Sequence, residues 1–539
     1  MKESNFMKYV YCIYLFVLTT ISASTAFSAN EMFRSVSSGN WNSTTTWEMS
    51  TNGGGVWFAA TSVPHDTSGA TTVRSPNVVT VTVSTTSNQL TIDGGGTLTI
   101  NSGIILTTPN GTGNEVSVAS SGVVNGNGTI RTQGSGVGIN LRAGSEFRAQ
   151  LNVNTGSADV YDQSSPFDGY LYGNLIIDSG ASVQGGPVSG FSLTMYGSLT
   201  NNGSLIASST GGALSMKGPS IVNNGSINSS GWFYYDSVTT ISGTGTFTSA
   251  NQSINANGNV TLMSNVTIAP VSGLSLQSGA DLNLNNYVLT FSSGQFAAYS
   301  GSTVNAPGTF RTQNNVSVYP VDGSYFNANF NVNTGSSTGG NTGFGDKFYG
   351  NVTIDNGATM NCGWTSGRVT NFYGGITNNG TFYTSSTGGG VRILGPFVIN
   401  NNIFSPAHLH FDTTATISGT ASYTASNVVI NANGKVTLIS DITFTPSAGL
   451  TMFSGGTFNL NGFVMTYNSG EFILYPSAAV NAPGTVKTQN NVAIYTGNSS
   501  SFNADIKVNN GFLTSGTTGV DRIFGNVTID NGASYNCGW

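Results

Sequence analysis

The residues Asn351 to Asn356 read Asn-Val-Thr-Ile-Asp-Asn, and the same six return at Asn526 to Asn531, an offset of 526 − 351 = 175. Self-similarity at a fixed period constrains a chain strongly, because each copy must find the partners that the copy before it found. Both copies run on to Cys-Gly-Trp, at Cys362 and Cys537. A diverged earlier copy, Asn-Leu-Ile-Ile-Asp-Ser, lies at Asn174 to Ser179, an offset of 351 − 174 = 177. A second block keeps the same register. Thr303 to Tyr319 and Ala479 to Tyr495 agree at 12 of 17 positions, and a relative of both begins at Gly128. The sequence thus divides into first coils at 87–173, long repeats at 174–350 and 351–525, and the opening of a third copy at 526–539. It stops inside that copy and reads as a fragment of a longer protein.

A shorter period lies within the long one. Asn201-Asn202-Gly203 recurs as Asn223-Asn224-Gly225, and Asn378-Asn379-Gly380 is followed by Asn400-Asn401-Asn402, a step of 22 each time. Asn and Gly tolerate the left-handed backbone of sharp turns. Between the turns, apolar residues alternate with polar ones, as in Val79-Thr80-Val81-Thr82-Val83 and Leu282-Asn283-Leu284. This is the pattern of strands with one buried face. Short strands in units of about 22 residues cannot bury their apolar sides alone; stacked, they can. The expected fold is all-β, a right-handed parallel β-helix or solenoid of about eight coils per long repeat, with stacked Asn side chains bonded in ladders. Residues 29–86, which hold Trp41, Trp47 and Trp57 in an irregular pattern, are expected to form an N-terminal β cap.

Composition narrows the function. Only 7% of residues are charged, against about 25% in ordinary globular proteins. The chain is not disordered, since 38% of it is hydrophobic and 11% aromatic. Residues 1–28 read as a signal peptide: Lys2 and Lys8 precede an apolar core from Tyr9 to Thr19, which is too short for a membrane span. Removing it leaves 14 basic and 21 acidic residues, a charge of −7. A sparse, weakly acidic surface argues against nucleic acid as a partner. No membrane span is expected after the leader, and the chain is expected to act as a monomeric rod, extracellular or on the outer cell surface.

Ser38 to Trp57, with Trp41, Trp47 and a Gly-rich turn, is followed by Pro64, by Val78–Val83 and by Leu-Thr-Ile-Asp-Gly-Gly-Gly-Thr-Leu-Thr-Ile from Leu90. This opening resembles the N-terminal region of large repetitive bacterial surface proteins exported by the type IX secretion system. The resemblance covers about 38–130, and the later blocks match only in style. It implies a structural or adhesive surface role and a C-terminal sorting domain that this sequence does not contain; the expected partners are surface glycans or extracellular matrix.

Parallel β-helices also include polysaccharide lyases and hydrolases, whose sites need clustered carboxylates. The acids here are scattered. The densest group is Asp159, Asp162 and Asp168. Asp168 recurs as Asp346 and Asp521, and Asp178 as Asp355 and Asp530, each once per repeat, which reads as turn or cap chemistry. Arg131, Arg311 and Lys487 recur before Thr-Gln and read as outward strand positions, or else as periodic contacts for an anionic glycan. His408 and His410 share one face of a strand without a third ligand nearby, and His65 has no obvious partner. No catalytic residue, metal site or cofactor is assigned. The leading expectation is a non-catalytic scaffold or adhesin. The alternatives are a carbohydrate-active β-helix enzyme and a glycan-binding module that uses outward rings such as Tyr234 and Tyr235.

After the leader, Cys362 and Cys537 are the only cysteines, and they stand one long repeat apart. About eight coils at ~4.8 Å would separate them by roughly 40 Å, whereas a disulfide needs Cα atoms within about 7 Å. Titration of the unfolded, unreduced chain without its leader should find two free thiols. A Cys362–Cys537 cross-link in a peptide map would contradict the stacked-coil architecture.

Overall fold

The computed structural model describes residues 31–109, 114–162, 169–185, 192–207, 212–339, 346–362, 369–384, 389–516 and 522–537. The leader, Asp168 and Asp521 lie outside them. The fold is a parallel β-solenoid. The described residues are strands and turns, with one short 3-10 turn at Thr44–Thr46. The chain forms two compact units, one holding residues up to Ala158 with 162–165, the other 159–161 with Pro166 onward.

In the first unit, Met32–Ser35 pairs antiparallel with Trp47–Ser50, which pairs antiparallel with Phe58–Ala59. Trp41 and Trp47 are buried edge to face, with ring centroids 5.1 Å apart, and the Trp47 indole donates to the Trp41 carbonyl at 2.8 Å. Met32–Ser35 also pairs in parallel with Ala70–Val73, and Gly39–Asn40 with Val78–Val81, so parallel stacking begins on these first strands and continues with Ala70–Val73 on Gln89–Ile92. The irregular sequence pattern before Ala70 accommodates the antiparallel strands Trp47–Ser50 and Phe58–Ala59 that are added at this end.

In the second unit each strand pairs with the strand three places further on, the isolated bridge Phe502–Ile523 taking the place of a strand in the last coil, so each coil has three strands and three faces. The first face runs from Gly169–Leu171 to Val527–Ile529, an 18-stranded sheet. The second starts with Leu175–Ile177, on which Leu199–Asn201 and then Ser220–Asn223 stack. The third starts with Ser182–Gly185 and Ser204–Ala207. Coil length varies: Gly169 pairs with Leu193, a step of 24, and Ala213 with Trp232, a step of 19. Turns absorb this variation while the strands stay in register.

The long repeat is not a whole number of coils. Eight steps along the second ladder from Leu175–Ile177 reach Lys347–Phe348, one strand short of the equivalent segment Val352–Ile354. Each long repeat thus contains eight coils and one third, rather than the eight expected from its length. Leu175–Ile177 stands on the second face, Val352–Ile354 on the third and Val527–Ile529 on the first. Successive copies are turned by one face. Cys362 and Cys537 follow the same rule: they lie on the first and second faces, and both are free thiols, Cys362 buried and Cys537 exposed.

In-register stacking places like residues over like. Asn201 donates to Asn223 at 2.8 Å, and Asn378 to Asn400 at 2.9 Å, inside the buried turns, as the Asn steps anticipate. Inward Phe and Tyr rings touch from coil to coil, as in Phe382–Phe404, Phe404–Tyr423 and Tyr423–Phe444. Tyr235, expected to face outward, is an inward residue, 1% exposed. Its hydroxyl donates to the Gln252 carbonyl oxygen at 3.2 Å, a polar pair within an apolar core. In the next copy the pair is replaced together, by Phe411 (411 − 235 = 176) and Val428 (428 − 252 = 176). The Gln252 amide nitrogen is already buried without a partner, so Tyr235→Phe alone should leave the whole amide unbonded and lower stability by about 1–3 kcal/mol. Adding Gln252→Val should restore that loss, which a double-mutant cycle in denaturant measures directly.

Candidate binding stripes on the solenoid edges

The acids singled out in the sequence have local structural tasks. The backbone carbonyls of Asp178, Asp355 and Asp530 accept from Ala181, Ala358 and Ala533 at 3.0 Å, closing one tight turn in all three copies. Asp355 also accepts from the Asn333 amide at 2.8 Å. Asp162 is buried and accepts from the Ala143 backbone at 2.8 Å. Burial raises the Asp159 carboxyl above its ordinary range. Arg131 and Arg311 reach the next coil's Asn152 and Asn331 at 3.1 and 3.2 Å. Lys487 stacks on Lys507, which pairs with Asp530 at 3.3 Å. His65 lies 3.4 Å from Glu31. His408 and His410 are half-buried, with ring centroids 6.3 Å apart, and burial lowers the His410 imidazole. No group of three His, Cys, Asp or Glu able to hold a metal occurs among the described residues.

Asp346 departs from a solvated turn. Its side chain is 1% exposed, and neither carboxylate oxygen has a hydrogen-bond partner among the described residues. Burial pushes it up to about 8. Burial also raises the thiol of Cys362, with the Asp346 charge adding to it.

The outward chemistry collects on the edges between faces. Where the first face turns into the second, consecutive coils present Tyr172, Tyr196, Lys217, Asp236, Asn255, Gln277 and Tyr299, one residue per coil. The backbone bonds Tyr196 N–H to Leu171, Lys217 to Met195, Asp236 to Met216, Asn255 to Tyr235, Gln277 to Ile254 and Tyr299 to Leu276 fix this column. In the next copy the column is Tyr349, Tyr373, Leu394, Asp412, Asn431, Phe453 and Tyr475, held by the same bonds. Its members keep the long-repeat offset, as in 373 − 196 = 177 and 412 − 236 = 176. It stands where the second face turns into the third. Phe524 keeps the offset from Tyr349, 524 − 349 = 175, and follows the third face.

The two stripes share an aromatic pair, an acid–amide pair and a terminal ring. Tyr172 and Tyr196 stack at 4.8 Å, and Tyr349 and Tyr373 at 4.5 Å. Asn255 donates to Asp236, and Asn431 to Asp412. The outer oxygen of each Asp takes a different partner, Ser215 in one copy and Arg392 at 2.7 Å in the other. Most of the rings are exposed: Tyr172, Tyr196 and Tyr299 to 37, 37 and 43%, and Tyr373, Phe453 and Tyr475 to 39, 41 and 44%, while Tyr349, the counterpart of Tyr172, is half-buried and Phe453 stands in the place of Gln277. A hollow of about 500 Å³ opens at the middle of the second stripe, lined by Asp412, Asn431, Ala432, Asn433 and Phe453. Beside the end of the first, a smaller groove of about 240 Å³ runs on the first face from Trp232 to Tyr299 over Gly273, Ser275 and Ala297. Trp232, which lines it, stacks on Tyr234 with centroids 5.5 Å apart. No sequence motif marks these stripes, since neighbouring members are separated by a whole coil of chain (255 − 236 = 19, 196 − 172 = 24).

Asp346 makes stability depend on pH. Its folded value of about 8 lies above the ordinary 3.8, so the folded state holds a proton that the unfolded chain has lost between those values. Its contribution to stability is full below pH 3.8 and declines as pH rises to about 8. Asp346→Asn should therefore melt higher than the parent at pH 8, and the difference should vanish as pH falls to about 4. Thermal melts across that range provide the check.

Comparison with family models, with curated proteins and with solved structures finds no match to this chain.

Proposed function

We propose that this chain is the shaft of a secreted or cell-surface bacterial protein of the type IX export kind, structural and adhesive rather than catalytic. The observation that carries this reading is the disposition of its polar groups. Apart from the buried Asp346, the recurrent acids, amides and bases of the described residues are engaged in turns, in coil-to-coil ladders or with neighbouring outward positions, and they repeat with the coils. A hydrolase or lyase concentrates its acid and base at one place on one face. The residues that recur at exposed positions are instead rings and amides in long edge columns, which suit contact rather than proton transfer. The N-terminal resemblance supports the same reading and adds the route of export.

Two measurements test the proposal. Incubation of the chain with a broad polysaccharide panel, with and without calcium, should release no oligosaccharide. Reproducible release that is lost in Asp162→Asn would favour the enzyme reading. In the native host, protease treatment of intact cells should digest the protein. Its retention inside the cell would sink the surface assignment.

A further inference from the structure

We infer that each long repeat carries one binding stripe for a neutral polysaccharide, and that the one-third-coil excess turns successive stripes onto successive edges, so that the chain cross-links separate glycan strands. The inference rests on the adhesive reading above and gives it a ligand class and a geometry.

The occupant follows from what the stripe offers. Six coil steps at ~4.8 Å make each stripe about 29 Å long, so it fits an extended polymer. Rings at both ends supply exposed apolar surface, stacked face on face in Tyr172–Tyr196, Tyr349–Tyr373 and Phe453–Tyr475, and the Asp–Asn pair at the centre supplies hydrogen-bond acceptors and donors. Sugar rings present apolar C–H faces and hydroxyl groups together, which matches this alternation. Charge does not decide recognition: Lys217 of the first stripe, 5.3 Å from the Tyr196 ring centre, becomes Leu394 in the second. That also disfavours a nucleic acid, whose backbone needs repeated cations. A peptide adding as a strand would need free backbone N–H and C=O groups. Along both stripes the backbone N–H groups already bond from coil to coil.

Five of the seven stripe positions keep their chemistry between the copies, the exceptions being Lys217 to Leu394 and Gln277 to Phe453. The inward Tyr235 and Gln252 were exchanged for Phe411 and Val428, and the outward Trp232 and Tyr234 for His408 and His410. Through the same interval Tyr172, Tyr196, Asp236, Asn255 and Tyr299 kept their chemistry as Tyr349, Tyr373, Asp412, Asn431 and Tyr475. The first stripe lies between the first and second faces, the second between the second and third, and Phe524 opens the same column on the remaining edge. Two such edges point in different directions and cannot both lie along one straight strand.

The test uses the full chain, soluble neutral glucan, mannan, galactan and xylan as probes, and a polyuronate as the charged comparison. Affinity electrophoresis reads binding, and aggregation of polysaccharide-coated beads reads cross-linking. At least one neutral probe should retard the chain and be bridged by it. Tyr172→Ala/Tyr196→Ala/Tyr299→Ala should still bind but lose bead bridging, with apparent avidity falling by about a hundredfold. Tyr373→Ala/Phe453→Ala/Tyr475→Ala should do the same, and the combined variant should not bind. Nitration of Tyr172, Tyr299 and Tyr475 in the unaltered chain, with and without the probe, gives a readout independent of variant folding, and all three should be protected. Failure of every neutral probe, retention by the polyuronate alone, bridging by either single-stripe variant, or unprotected tyrosines would each overturn the inference while leaving the scaffold reading intact. Release of oligosaccharide from a bound probe would sink the non-catalytic reading and leave the stripes standing.

Discussion

Every feature of this molecule depends on the backbone hydrogen bonds between one coil and the next. A parallel ladder in register fixes the spacing along the stack and places each side chain over its counterpart in the coil below. Once that register exists, columns follow. An inward column becomes a run of touching rings, a turn column becomes an Asn ladder, and an edge column becomes a stripe. The individual side-chain contacts are modest, about 0.2–1 kcal/mol for a neighbouring pair in a sheet. Their sum is large because the same contact recurs at each coil.

The ladder also explains how a repeat of eight and one third coils is tolerated. A strand needs apolar residues at alternate positions facing inward and a paired strand on each side. All three faces make those same demands, so a segment that serves on the second face serves equally on the third. A slip of one residue would turn its apolar side chains to water. A shift of one whole strand with its turn keeps the inward set inward. Duplication of the long unit could therefore disregard the coil boundary with little loss of stability, and its geometric consequence is that repeated surface features wind around the stack.

The two copies show where the constraints lie. Core replacements are coupled: the buried Tyr235–Gln252 pair is exchanged as a whole, since either partner alone would leave a polar group unsatisfied. Outward positions on the faces change freely, as Trp232 to His408 and Ser215 to Arg392 show. Asp346 is the exception within the core, a buried acid whose charged form the fold penalises. Its neighbour Cys362 is equally buried, and the first copy has Gly185 in that place.

The class of fold is written in the chain itself. Period-2 alternation, the Asn/Gly steps and the long repeat are local or statistical signals, and together they specify stacked parallel coils with Asn ladders. Turn chemistry at Asp178, Asp355 and Asp530 is legible for the same reason, because a tight turn involves adjacent residues. Tyr235 is misread from sequence, since its outward or inward direction depends on strand parity in a stretch of four consecutive rings. The burial of Asp346 leaves no sequence signal, because it precedes a two-residue strand and looks like any turn acid. The phase of the long repeat emerges only from the folded pairings, since its length divides equally well into eight coils or eight and one third until the strands are matched. The edge stripes exist only in the folded stack. Their members are a whole coil apart along the chain, and what unites them is a ladder that no single coil can form.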